Sequence, residues 1–155
     1  MLDKEVKDFI GKLLQFCAYQ DRFEVEVIEK LKKLGIEETE VISKAIQYLK
    51  NEKYLDEKRA AVSYARGRIL LKKWSKMKVE YNLKFMKVSQ SAIEEALNEI
   101  EDDDYLKIIK KRMEEKIKNN SKLPIQHQKI KVTKTMTAEG FEYDLVKQAW
   151  EELKE

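Results

Sequence analysis

Cysteine, histidine and proline each occur once in this chain, and glycine only four times in 155 residues. Each scarcity excludes something. A lone Cys17 has no partner for an internal disulfide, which suits a reducing compartment, so a cytoplasmic location is expected. One histidine, His127, set between Gln126 and Gln128, rules out a multi-histidine metal site, and one cysteine rules out a cysteine-rich zinc site. No glycine-rich phosphate loop is present. No window approaches the ~18 uncharged apolar residues that would span a membrane. The opening residues, MLDKEVKDFIGKLL, lack an apolar core followed by a small-residue cleavage site. With no nucleophile–base pair or metal cluster in view, neither an enzymatic role nor a cofactor is expected. The shortage of glycine and proline leaves few breakers, and an all-α fold is the first expectation.

What the chain does have is charge. Charged residues make up 39% and hydrophobic residues 43%, yet the net charge is only +3. Both signs are mixed at helical spacing, which favours a folded helical protein with a highly charged surface over disorder. The balance is uneven along the chain. Between residues 56 and 87 lie ten Lys/Arg (Lys58, Arg59, Arg66, Arg68, Lys72, Lys73, Lys76, Lys78, Lys84, Lys87) against three acids (Asp56, Glu57, Glu80). Between residues 94 and 104 lie seven acids and no basic residue. The basic centre also carries Tyr54, Tyr64, Trp74, Tyr81 and Phe85. The acidic segment would either face basic loops or point outward.

Apolar periodicity predicts nine helices. The first covers about 3–20, with Val6, Phe9, Ile10, Leu13, Leu14 and Cys17 on one stripe; Cys17 reads as a small buried hydrophobe. The second covers about 22–34 and ends at Gly35, where a left-handed C-cap is wanted. The third covers about 37–51. Asp56, Ser75 and Ser89 are placed as N-caps of the fourth, fifth and sixth helices. The seventh covers about 103–119. Pro124 fits the first turn of the eighth, which ends at Gly140. The last carries Val146, Ala149, Trp150 and Leu153.

These helices fall into three sets of three. Val27, Leu31 and Leu34 match Val79, Leu83 and Met86 at a shift of 52. Ile42, Ala45, Ile46 and Leu49 match Ile93, Ala96, Leu97 and Ile100 at 51, and Val146, Ala149, Trp150 and Leu153 at 104. Gly35 and Ile36 lie opposite Gly140 and Phe141. Repetition at nearly constant spacing signals a tandem helical array. Units spanning residues 1–53, 54–101 and 102–155 are expected. Each is a three-helix bundle, marginal alone and gaining by stacking on its neighbour. The expected shape is elongated and curved, and the expected state a monomer.

One run carries a family likeness: Tyr54-Leu55-Asp56-Glu57-Lys58-Arg59-Ala60-Ala61-Val62-Ser63-Tyr64-Ala65-Arg66-Gly67-Arg68. It resembles the motif Y/F-L-D/N-D/E-x-R-F-A-x-x-Y-x-R-x-R of the RecX family, with Ala60 in place of the family's Phe. Cys17-Ala18-Tyr19-Gln20-Asp21-Arg22 is similar to the first-repeat entry in one branch of that family. Lys72-Lys73-Trp74 followed by a basic helix also matches, with Ser75 where glycine is usual, and Glu139-Gly140-Phe141-Glu142 resembles its last-repeat turn. The resemblance spans nearly the whole chain in order. It implies an all-α protein of three tandem three-helix repeats. It also implies binding to RecA, above all to the RecA–single-stranded DNA filament, with inhibition of filament extension, ATP hydrolysis and strand exchange. Possible weak direct DNA contact, and no cofactor or catalytic residue, complete what it implies.

On the fourth helix Arg59, Arg66 and Lys73 form one stripe at seven-residue spacing, beside an apolar arc of Ala61, Val62, Ala65 and Ile69. Arg59 is also placed to pair with Asp56. On the fifth helix Lys76 and Lys84 bracket Glu80 in an i, i+4 ladder, an arrangement that often only supports the helix surface. Arg59, Arg66, Arg68, Lys72, Lys73, Lys76 and Lys84 are the candidate contacts to RecA or DNA. The aromatic residues Tyr54, Tyr64, Trp74, Tyr81 and Phe85 read mostly as packing residues between repeats. A helical DNA-binding module acting alone is the competing reading, although a net charge of +3 is small for one.

Overall fold

The computed structural model describes residues 4–154 and is all-helical among them. Its elements are α1 (Lys4–Lys7), α2 (Ile10–Tyr19), α3 (Glu24–Lys33), α4 (Thr39–Asn51), α5 (Glu57–Arg66), α6 (Lys76–Phe85), α7 (Gln90–Asn98), α8 (Asp102–Asn119), α9 (Ile125–Ala138) and α10 (Tyr143–Leu153). A π-helical turn, Gly67–Leu71, continues α5. The first predicted helix is broken in two near Asp8, and its expected start at residue 3 lies outside the described residues. The second starts two residues later than expected, after Phe23, whose backbone N–H is taken by the Glu26 carboxylate at 2.9 Å. Pro124 stands just before α9 rather than in its first turn.

Local chemistry explains the boundaries. Asp56, Ser75 and Ser89 each accept a hydrogen bond from a first-turn backbone N–H, from Arg59 at 3.0 Å, Lys78 at 3.1 Å and Ala92 at 3.3 Å. These are the three N-caps expected from sequence. Gly35 (φ +85°) and Gly140 (φ +100°) end α3 and α9 in the left-handed region. The equivalent place after α6 is held by Lys87 at φ +61°. A side chain there costs backbone energy that glycine avoids. Lys87→Gly should therefore raise the unfolding free energy by about 0.5–1 kcal/mol, even after the greater freedom glycine brings to the unfolded chain. An unchanged or lower denaturant midpoint would refute this.

Repeated positions are buried alike. Ala45, Ala96 and Ala149 are each fully buried, as are Val27 and Val79, and Leu31, Leu83 and Met136. The cores, however, number two. Val6, Ile10, Leu13, Cys17, Val27, Leu31, Ile42, Ala45, Leu49 and Leu55 form one. The other runs unbroken from α5 to α10, and Phe23 enters it from the chain segment before α3. Phe23 packs edge-on against Tyr64, with ring centroids 6.0 Å apart, so an aromatic contact anchors the segment before α3 to the second core. Cys17 is buried, and burial pushes its thiol above its usual range.

The chain exposes 10254 Å² of surface, roughly a quarter more than the ~8,200 Å² of a compact monomer of 18.5 kDa. The excess marks an extended outline. No helix among the described residues is long and apolar enough to cross a membrane.

Candidate functional site

The basic centre maps onto α5, the π-helical turn and α6, whose inner faces build the larger core. Ala61, Ala65, Ile69, Val79 and Leu83 are fully buried there. Burial of one side of each helix forces the charged residues outward, but few of them stand alone. The Arg59 guanidinium donates to Asp21 at 2.8 Å and to the Lys53 carbonyl at 3.1 Å. It does not pair with Asp56, whose carboxylate is used by the Arg59 backbone as the cap. Asp21 precedes α3, so this pair links the first three-helix group to the middle one. Arg66 reaches Glu99 at 3.3 Å, and Lys58 reaches Glu95 at 3.2 Å. Part of the acidic segment is thus the partner of the α5 basic row.

Further along, the Lys73 ammonium pairs with Glu115 on α8. Lys84 pairs with Glu80 at 3.0 Å, while Lys76 leaves the expected ladder and lies 4.8 Å from the Tyr105 ring. Arg68 sits between Tyr64 (4.6 Å) and Trp74 (5.3 Å), and Lys78 covers Trp74 at 4.0 Å. Trp74 is a packing residue with a cation over its ring. The Lys72 side chain has no ion-pair partner among the described residues. Ion pairs at such exposure are worth about 0–1 kcal/mol each, so an incoming anionic partner can exchange them cheaply.

The aromatic assignment from sequence needs correcting. Tyr54 is 38% exposed, and Tyr81 and Phe85 are 71% and 80% exposed. None of the three is a core residue, because Leu55, Val79 and Leu83 already fill the inward positions beside them.

Sequence reading also missed the junction between α6, α8 and α9. The Ser75 hydroxyl, almost fully buried, donates to the Glu139 carbonyl at 2.8 Å while capping α6. The Tyr105 hydroxyl accepts from the Lys76 backbone N–H at 3.0 Å and meets Glu142 at 3.1 Å. Burial drives the Tyr105 phenol well above its usual range, so it keeps the proton it donates to Glu142. Arg112 and Lys116 converge on Glu139 at 3.0 and 2.9 Å. Sequence marked Ser75 as a cap and the Glu139–Glu142 turn as family-like, but it did not join them, because the bonded members lie up to 64 residues apart.

Burial acts to raise the Glu139 carboxyl, but the hydrogen bonds from Lys116 and Arg112 outweigh it and hold the group below the usual range. The hydrogen bond from Lys73 does the same, with less opposition, for Glu115. Both carboxylates titrate lower when folded than when unfolded. Their contribution is complete above the unfolded value of about 4.3 and is lost as pH falls through the folded values. Thermal stability should therefore drop below about pH 4.3, and Glu139→Gln should make that drop shallower. Identical acid profiles for the two proteins would contradict this.

A family model described as the second three-helix domain of RecX matches residues 56–97, from the Asp56 cap through α7. Proteins called regulatory protein RecX align along most of the chain. The Bacillus licheniformis protein is 26% identical over 96% of this chain and 56% of its own length. The Clostridium botulinum protein is 31% identical over 80% of this chain and 58% of its own. Along most of its length the chain is similar to the RecX family. Crystal structures agree in fold. RecX from Lactobacillus salivarius superposes with a TM-score of 0.84 at 23% identity, covering 97% of both chains. A second structure, titled regulatory protein RecX, also gives 0.84, at 20% identity over 95% of this chain. This chain spans between half and two thirds of the length of the curated RecX relatives it matches. The RecX match begins at the Asp56 cap and includes Arg59, Arg66, Arg68, Lys72, Lys73, Lys76 and Lys84, so the candidate basic residues lie within it.

Proposed function

We propose that this chain binds the RecA filament formed on single-stranded DNA and restrains it, slowing filament extension, ATP hydrolysis and strand exchange. The observation that carries the reading is a relationship along nearly the whole chain to proteins named regulatory protein RecX. The Tyr54–Arg68 motif falls largely within the matched second domain.

An extended helical molecule with a basic centre suits a long polyanionic partner. Three units, 1–53, 54–101 and 102–155, present their surfaces along that length. Arg59, Arg66, Arg68, Lys72, Lys73, Lys76 and Lys84 are the proposed contacts. Four of them, Arg59, Arg66, Lys73 and Lys84, would exchange a weak carboxylate partner of this chain for one on the filament.

The test is ATP hydrolysis by the cognate RecA on single-stranded DNA, with this chain added below stoichiometric amounts. Slowing is expected, and an unchanged rate overturns the reading. A companion measurement uses Arg66→Ala, Arg68→Ala, Lys76→Ala and Lys84→Ala together. Weaker filament binding with an intact helical circular dichroism signal is expected. Tight binding to bare DNA without RecA would favour a helical DNA-binding module acting alone.

A further inference from the structure

Helix α6 has two apolar faces. Val79 and Leu83 point inward and are fully buried. On the opposite side Met77, Tyr81 and Phe85 are 62%, 71% and 80% exposed. Spaced i, i+4 and i+8, they stand one above another on successive turns, a row about 12 Å long. Single exposed hydrophobic residues are ordinary in a folded protein, but an aligned row of three large ones marks an interaction surface.

We propose that this row docks an amphipathic helix of the protein partner, one whose apolar ridge is flanked by carboxylates. The inference rests on the functional reading above and takes the partner to be RecA.

Three observations select that occupant. First, spacing by turns matches the anchors of a helix laid along another helix, which recur at i, i+4 and i+7 or i+8. Second, the row is bordered by cations. Lys78 and Lys84 flank it on α6, and the helix's single acid, Glu80, is already paired with Lys84. Third, the row runs into a cleft of ≈ 490 Å³ walled by Met77, Tyr81, Trp74 and Phe141, room for a large anchoring side chain.

The cleft end of this surface is closed to base stacking. Base stacking needs open aromatic faces. The Trp74 ring has Lys78 at 4.0 Å and Arg68 at 5.3 Å, and Met77 offers no ring.

The experiment compares wild type with Tyr81→Ser/Phe85→Ser, measuring binding to cognate RecA on single-stranded DNA and to the same DNA bare. Both side chains are exposed, so circular dichroism and the unfolding midpoint should stay at wild type. Filament binding should weaken about tenfold or more, as when central aromatic anchors are removed. Bare-DNA binding should not change. A photoreactive benzophenone side chain placed at position 85 should cross-link to RecA and not to DNA. Filament affinity within about twofold of wild type overturns this inference and leaves the functional reading standing. Parallel loss of bare-DNA binding, or cross-links to DNA, assigns the row to nucleic acid and overturns it as well. Wild-type protein that ignores RecA in every form overturns both readings together.

Discussion

Gly140→Ala is expected to lower the unfolding free energy by about 2–3 kcal/mol, from left-handed strain of about 1–2 kcal/mol and the loss of a helix cap worth about 1 kcal/mol. Gly140 sits at φ +100°, and a Cβ built there would lie 2.7 Å from the Ser75 hydroxyl oxygen and 3.1 Å from Met77 Cβ. Ser75 cannot simply turn away. Its hydroxyl caps α6 and donates to the Glu139 carbonyl, so displacing it frees two buried polar groups. Gly35 is the control. It has φ +85° but nothing within 4 Å of an added Cβ, so Gly35→Ala should cost only the strain, about 1–2 kcal/mol. Adding Ser75→Gly to Gly140→Ala removes the closest clash and should recover part of the loss. Equal effects at the two glycines, measured by chemical denaturation, would show that the α6–α9 contact is not tight.

Leu31→Ala and Leu83→Ala should each destabilise by about 3–5 kcal/mol, as truncations of fully buried leucines do, but in different parts of the molecule. Both side chains have no exposure, yet Leu31 belongs to the core of α1–α4 and Leu83 to the core of α5–α10. The smaller core closes only about fifty residues, a size at which stability is marginal. Amide hydrogen exchange should therefore accelerate in α2–α4 for Leu31→Ala, with α8–α10 protected as in wild type. For Leu83→Ala it should accelerate through α5–α10 together. A uniform rise in exchange from α2 to α10 on Leu31→Ala would mean that the two cores unfold as one unit.

Much of the fold was legible before any coordinates. The apolar stripes and the near-52-residue shift predicted tandem three-helix sets, because core-facing positions must recur wherever the same bundle recurs. Asp56, Ser75 and Ser89 were readable as caps because a cap is a bond between neighbours in sequence, and Gly35 and Gly140 because few other residues tolerate a positive φ. The break between α1 and α2 was not legible, since its stripe continues across it.

The candidate site was less legible. Sequence located a basic centre but not how its charges are spent. Arg59 with Asp21, Arg66 with Glu99 and Lys73 with Glu115 are pairs between residues 33 to 42 apart, formed only when whole helices pack. Tyr81 and Phe85 were assigned to packing because aromatic residues usually pack. Their true place follows from the rotation of α6, which the burial of Val79 and Leu83 decides.

By itself, then, the sequence determined the helices, their caps and the repeat, all of which depend on local bonds and on the period of apolar residues, and its motifs carried the family likeness. Tertiary structure alone decided that two cores stand where three units repeat, that the acidic segment neutralises part of the basic row, and that α6 keeps an apolar face outside. Each of those depends on which surfaces meet across tens of residues, and on which side chains are then left facing water.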